Sequence, residues 1–115
     1  MSAVMFGIKN CDTVKKARKW LDAQGVDYEF IDLKAAPLAA STLEHWIQAV
    51  GTDTLINKRG TTWRKLPDED KGELTLPRTI HLLQSHPTII KRPVLVKEGD
   101  ILVGFNEAIW QGFFA

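Results

Sequence analysis

The sequence of 115 residues holds one cysteine, Cys11. That scarcity excludes an internal disulfide, a Cys-x-x-Cys redox pair and a thiolate metal site. Charge of one sign is also missing, since fifteen Lys and Arg stand against fourteen Asp and Glu for a net charge of +1. Without a basic excess there is no broad electrostatic footprint for nucleic acid or an anionic membrane. No apolar run approaches the roughly 20 residues of a membrane-spanning helix. The opening Met1-Ser2-Ala3-Val4-Met5-Phe6 lacks the charged flank and long apolar stretch of a secretory signal, so a cytoplasmic location is expected. His-Glu-x-x-His, Walker-loop and Gly-x-Gly-x-x-Gly patterns are absent, which leaves zinc-protease, triphosphatase and dinucleotide-binding readings unsupported. His45, His81 and His86 show no ligand spacing, and no bound metal or cofactor is expected.

What the chain does have is an ordinary globular make-up, with 44% apolar and 25% charged residues, in a length suited to a single domain spanning 1–115. Residues 3 to 8 form a short apolar run that reads as a buried strand. Lys9 and Asn10 make a tight loop, with Asn10 the expected N-cap of a helix from Cys11 to Gln24. Val14, Ala17 and Leu21 mark its apolar face, while Lys15, Lys16, Arg18 and Lys19 form a solvated one. Gly25 ends the helix and a second strand follows over residues 28 to 33. Ser41-Thr42-Leu43-Glu44 reads as a capping box for a helix with Leu43, Trp46, Ile47 and Val50 inside. Residues 56 to 73 are polar and read as loops with one short helix, and Trp63 there is a candidate pocket wall. Pro77 opens a helix with Ile80, Leu82 and Leu83 inside and His86-Pro87 as its stop. Two strands joined at Glu98-Gly99-Asp100 form an antiparallel hairpin, and Asn106 caps a last helix bearing Ile109, Trp110, Phe113 and Phe114.

The order is β-α-β, helices, β-β-α. It predicts an α/β, thioredoxin-like fold around a mixed four-stranded sheet, with a helical insertion over about 38–88 between its halves. At the junction of the first strand and helix stands Cys11, where unsatisfied backbone N–H groups carry partial positive charge. Lys9, Lys15, Lys16, Arg59 and Arg92 add cationic side chains to the candidates for lowering the pKa of that thiol. A free thiol has a pKa near 8.5 and is only a few per cent ionised at neutral pH, so such a lowering makes a competent nucleophile.

Cys11 after the first strand, Arg59 in Asn57-Lys58-Arg59-Gly60, His86-Pro87 with Lys91-Arg92-Pro93, and Val103-Gly104-Phe105-Asn106 together resemble the arsenate reductase (ArsC) and Spx-like family. Within it the chain is similar to the small glutaredoxin-like, YffB-like branch, over essentially its whole length. The resemblance implies that Cys11 is catalytic and that Arg59 and Arg92 are arginines handling the thiolate and anions. It implies a cis-proline at Pro93, whose backbone would pair with a bound thiol as an added strand. Thr13 and Asn10 are the remaining candidates for stabilising the thiolate, Thr13 through its hydroxyl. Lys9, Arg59, Arg92 and Pro93 are the expected glutathione-binding residues.

With Val14 where a second cysteine would stand, the resolving thiol must come from solution, most simply glutathione as co-substrate. The reading is a monothiol, glutathione-dependent thiol–disulfide reductase acting as a monomer on a small disulfide or mixed disulfide. A glutaredoxin is a further expected partner; nucleic acid and membrane are not. Arsenate reduction ranks second, because a third family arginine gives way to Val103-Gly104-Phe105-Asn106 and a His-Asn-Pro lead gives way to Ile8-Lys9-Asn10. A non-enzymatic, Spx-like regulator binding RNA polymerase ranks third, since the Cys-x-x-Cys switch is absent.

Overall fold

The computed structural model describes residues 3–35 and 37–114. Met1, Ser2 and Ala115, which close the expected 1–115 span and include the start of the segment read for a signal, lie outside the described residues. The chain forms two compact units, Met1–Asp32 with Arg92–Ala115, and Leu33–Lys91.

The first unit carries the sheet. Strands β1 (Ala3–Gly7) and β2 (Tyr28–Asp32) are joined by helix α1 (Asp12–Ala23), while β3 (Val94–Lys97) and β4 (Asp100–Val103) lead into helix α6 (Glu107–Phe113). The strand order is β2-β1-β3-β4, with β1 parallel to β2 and antiparallel to β3, and β3 antiparallel to β4. This mixed sheet is the thioredoxin-like arrangement. Alternation along β1 puts Ala3, Met5 and Gly7 inward. Helix α1 lays Val14, Ala17, Trp20 and Leu21 against them, three or four residues apart as its period requires. Leu95 of β3 and Trp110 of α6 complete the same cluster.

The close approach of α1 depends on Gly7. A Cβ there would stand 2.9 Å from Cγ2 of Val14, which is fully buried and has nowhere to turn. Gly7→Ala is therefore expected to destabilise the protein by about 1–3 kcal/mol and to displace the first turn of α1. Thermal unfolding measures the loss; an unchanged melting temperature would show that the helix gives way freely.

The second unit is helical and comprises α2 (Ala40–Val50), α3 (Thr52–Leu55), α4 (Thr61–Lys65) and α5 (Leu76–Ser85), with short 3-10 turns over Asp68–Lys71 and Pro87–Ile89. Leu43, Trp46, Leu55, Leu83, Ile89 and Ile90 are among its buried apolar residues. An isolated antiparallel bridge joins Ile56 to Ile90, reinforced by the N–H of Lys91 donating to the carbonyl of Leu55 at 2.7 Å.

Several local expectations are corrected. Helix α2 begins at Ala40 with Ala39 as its N-cap and no side-chain capping bond, so Ser41-Thr42-Leu43-Glu44 is not a capping box. Ala39, Ala40 and Ser41 are exposed, and water can serve their orphan N–H groups. On α5 it is Thr79, not Ile80, that is buried, its hydroxyl donating to the carbonyl of Thr75 at 2.9 Å. Ile109 is 57% exposed, because the seven-residue α6 turns Trp110 inward and leaves its neighbour outside. Arg18 is half-buried, unlike the exposed Lys15, Lys16 and Lys19 of the same face. Its Nε donates to the Tyr28 hydroxyl at 3.2 Å and its guanidinium lies 4.3 Å from the Phe30 ring centroid, a half-buried cation–π pair against β2.

Candidate active site around Cys11

At the end of β1 the chain turns through Lys9 and Asn10, both exposed, and the N–H of Cys11 donates back to the carbonyl of Ile8 at 3.2 Å. Cys11, and not Asn10, is the N-cap of α1. Its backbone is extended, with φ −103° and ψ 124°, and its carbonyl accepts the first helical hydrogen bond from Lys15 at 2.9 Å. The shift of one residue matters, because an N-cap side chain faces the N–H groups two and three residues on. At Cys11 those belong to Thr13 and Val14. The sulfur forms no full capping bond, yet both N–H groups favour its ionised state.

Cys11 is half-buried. Burial by itself pushes the thiol pKa up, but it is outweighed by the Val14 N–H, by the Arg92 guanidinium through both a hydrogen bond and its charge, and by the Thr13 N–H. The net result is a thiol held below its usual value. Thr13 thus contributes its backbone N–H rather than its hydroxyl. Arg92 is half-buried and precedes Pro93, which is buried and joined to it by a cis peptide bond. The Pro93 carbonyl accepts from the N–H of Gly104 at 2.8 Å, just past β4. Five of the features named from sequence therefore meet in the first unit: Cys11, Thr13, Arg92, Pro93 and the Gly104 loop.

The other candidates divide between the two units. Asn10 sits in the turn without a capping role, and Lys9 stands beside it, exposed. Arg59 belongs to the second unit, exposed in a turn where the Asn57 side-chain carbonyl accepts from its N–H at 3.2 Å. There it shares a shallow concavity with Lys58 and Lys91. Trp63, half-buried, has the Lys58 and Lys71 ammonium groups each 5.8 Å from its ring. Sequence reasoning offered the unsatisfied N–H groups of the first turn without singling one out, and the Val14 N–H is the first of the groups that favour the thiolate. The signal was available: with Cys11 at the N-cap, Val14 is the third helical residue, whose N–H points at the capping side chain. Among the described residues no three His, Cys, Asp or Glu side chains gather as a metal site, and no helix is long and apolar enough to cross a membrane.

The lowered thiol has a stability signature. A group whose folded pKa lies below its unfolded one adds stability that is fully present above the unfolded value, about 8.5 for a thiol, and is lost as pH falls through the folded value. Urea unfolding followed from about pH 6 to 9 should therefore show a rising contribution that Cys11→Ser removes. Identical pH dependence in the two proteins would contradict the lowering.

A thioredoxin-like sheet with a cysteine at the N-cap position of its first helix and a cis-proline just before β3 defines the class of this protein. Comparison with known proteins gives the family. The ArsC family matches residues 6–113. The solved structure of a protein named YFFB is 42% identical, with a TM-score of 0.93 over 98% of this chain and 99% of its own. An arsenate reductase (ArsC) related protein from Brucella melitensis is also 42% identical, with a TM-score of 0.77 over 99% and 95%. The global transcriptional regulator Spx of Listeria innocua is 30% identical over 100 residues, 85% of this chain and 76% of that protein. The chain belongs to the ArsC family.

Proposed function

We propose that this protein is a thiol oxidoreductase that uses Cys11 as its sole redox centre and glutathione as reductant. The observation that carries the reading is the half-buried Cys11 at the N-cap of α1, with the Val14 and Thr13 N–H groups and Arg92 placed to lower the pKa of its thiol. Membership of the ArsC family supports it, as does the single cysteine, which leaves the second thiol to be supplied from outside.

In the proposed cycle the Cys11 thiolate attacks the glutathione sulfur of a mixed disulfide. The old S–S bond breaks, the substrate leaves as thiolate and takes up a proton, and Cys11 becomes joined to glutathione. A second glutathione, as thiolate, attacks that sulfur; oxidised glutathione leaves and the Cys11 thiolate returns. Overall one glutathione thiol is consumed for each mixed disulfide, the substrate leaving as its thiol and the two glutathione sulfurs leaving joined as oxidised glutathione, which glutathione reductase then reduces. Backbone groups beside Pro93 pair with the glutathione peptide, and Lys9 and Arg92 meet its carboxylates. Arg59 keeps the anion-handling role the family resemblance implies, tested separately by Arg59→Ala. Turnover of a glutathione mixed disulfide, coupled to glutathione reductase, tests the proposal. Absence of turnover at millimolar glutathione would refute it.

Arsenate reduction is the second reading, favoured by the match to the ArsC family and to a protein titled as arsenate reductase related. Arsenate-stimulated oxidation in a glutathione–glutaredoxin system would identify it. The relationship to Spx favours a polymerase-binding regulator instead, which a pull-down with RNA polymerase would reveal.

A further inference from the structure

The thiolate of Cys11 is served from two directions, by N–H groups of α1 and by Arg92, which lies outside both α1 and β1. Something must hold the Arg92–Pro93 segment in register with α1, and the residues that could do so converge on α6. Trp110 is 1% exposed, and its indole Nε1–H donates to the carbonyl of Gly104 at 3.2 Å. The N–H of the same Gly104 donates to the carbonyl of Pro93 at 2.8 Å. Gly104 has φ +78°, in the left-handed region that favours glycine, and so presents its two polar groups to Trp110 and Pro93 at once. The Trp110 ring also meets Trp20 of α1 edge-on, with centroids 6.0 Å apart, and Phe105 at 4.9 Å. One side chain thus touches the helix that follows Cys11 and the Gly104 loop, which in turn is hydrogen-bonded to the Arg92–Pro93 segment.

We propose that Trp110 is a positioning residue for the Cys11 site, holding the Arg92–Pro93 segment against the nucleophile through the Gly104 peptide. This rests on Cys11 being the nucleophile, and it assigns a role to a residue outside the contact shell of the sulfur. The ring supplies packing, whereas the indole N–H supplies the aim. Trp110→Phe keeps an aromatic ring in the core but removes the donor and leaves a cavity where the second ring stood, so the Arg92→Met background is what separates lost aim from lost packing.

The test measures the Cys11 alkylation rate against pH, with no glutathione present. Trp110→Phe should shift the profile to higher pH and slow alkylation near pH 6.5 by roughly threefold to tenfold, while the protein stays folded by circular dichroism. In an Arg92→Met background the same change should add little, because the effect passes through Arg92. An unshifted profile in Trp110→Phe, or an equal shift with and without Arg92, would overturn the proposal. Should Trp110→Phe fail to fold, hydrogen exchange in the unaltered protein decides: the Gly104 N–H and the Trp110 indole N–H are both expected to be protected, and exchange of either at the solvent rate would refute the link. Lack of turnover with glutathione would sink the reductase reading and leave this result standing.

Discussion

Cys11→Ser is expected to abolish glutathione-dependent reduction of mixed disulfides, with turnover falling on the order of a thousandfold or more. Serine keeps the size of the side chain and caps helices well, so the fold should survive and α1 should gain a capping bond. What disappears is the ionisable nucleophile. A serine hydroxyl at this site has no base beside it among the groups acting on Cys11, which are N–H donors and a guanidinium. Those groups stabilise an anion already formed; they do not remove a proton. The measurement is steady-state turnover beside a mass spectrum after exposure to oxidised glutathione. Wild type should gain one glutathione and the variant none. Substantial turnover in the serine variant would move the chemistry away from Cys11.

Arg92→Met should be the next largest change. Removing the guanidinium deletes both a hydrogen bond to the sulfur and the nearest full positive charge, leaving burial opposed only by the Val14 and Thr13 N–H groups. The thiol pKa then rises, and at neutral pH each unit of rise cuts the thiolate fraction by about tenfold. Alkylation and turnover near pH 7 are expected to drop on the order of tenfold, with much of the loss recovered at alkaline pH. Recovery at high pH separates lost ionisation from lost structure. Arg92→Lys should fall between, since lysine keeps the charge and gives up the planar fork. A pH profile identical to wild type in Arg92→Met would show that the helix N–H groups suffice alone.

Much of this site can be read from sequence because its parts are local or carry strong signatures. The β-α-β start follows from an apolar run, a loop and a helical period, and Gly25, with φ +68°, punctuates it where expected. The Asn106 cap is equally legible: its side chain accepts from the Ile109 N–H at 3.1 Å. Failures come where one residue's register or a long-range contact decides. Asn10 and Cys11 are both acceptable before a helix, and only the turn back to Ile8 selects Cys11 as the cap. Ser41-Thr42-Leu43-Glu44 satisfies a local rule that an exposed helix start does not need. Arg18 looks like its lysine neighbours until β2 brings Tyr28 and Phe30 beside it. The tie from Trp110 through Gly104 to Pro93 leaves no local mark, since it joins a helix, a loop and a strand start.

The split of the first unit along the chain bears on how such a protein emerges from the ribosome. Cys11 and α1 are made early, whereas Arg92 and β3 appear only after the whole helical unit of Leu33–Lys91 has been synthesised. At about 5–20 residues per second, several seconds separate them. During that interval the nascent chain carries a cysteine lacking its guanidinium partner, and with it the less reactive thiol of an unfinished protein. Full nucleophilicity arrives only once β3 has been made, so fragments cut short before it should be poor thiol reagents even where α1 has formed.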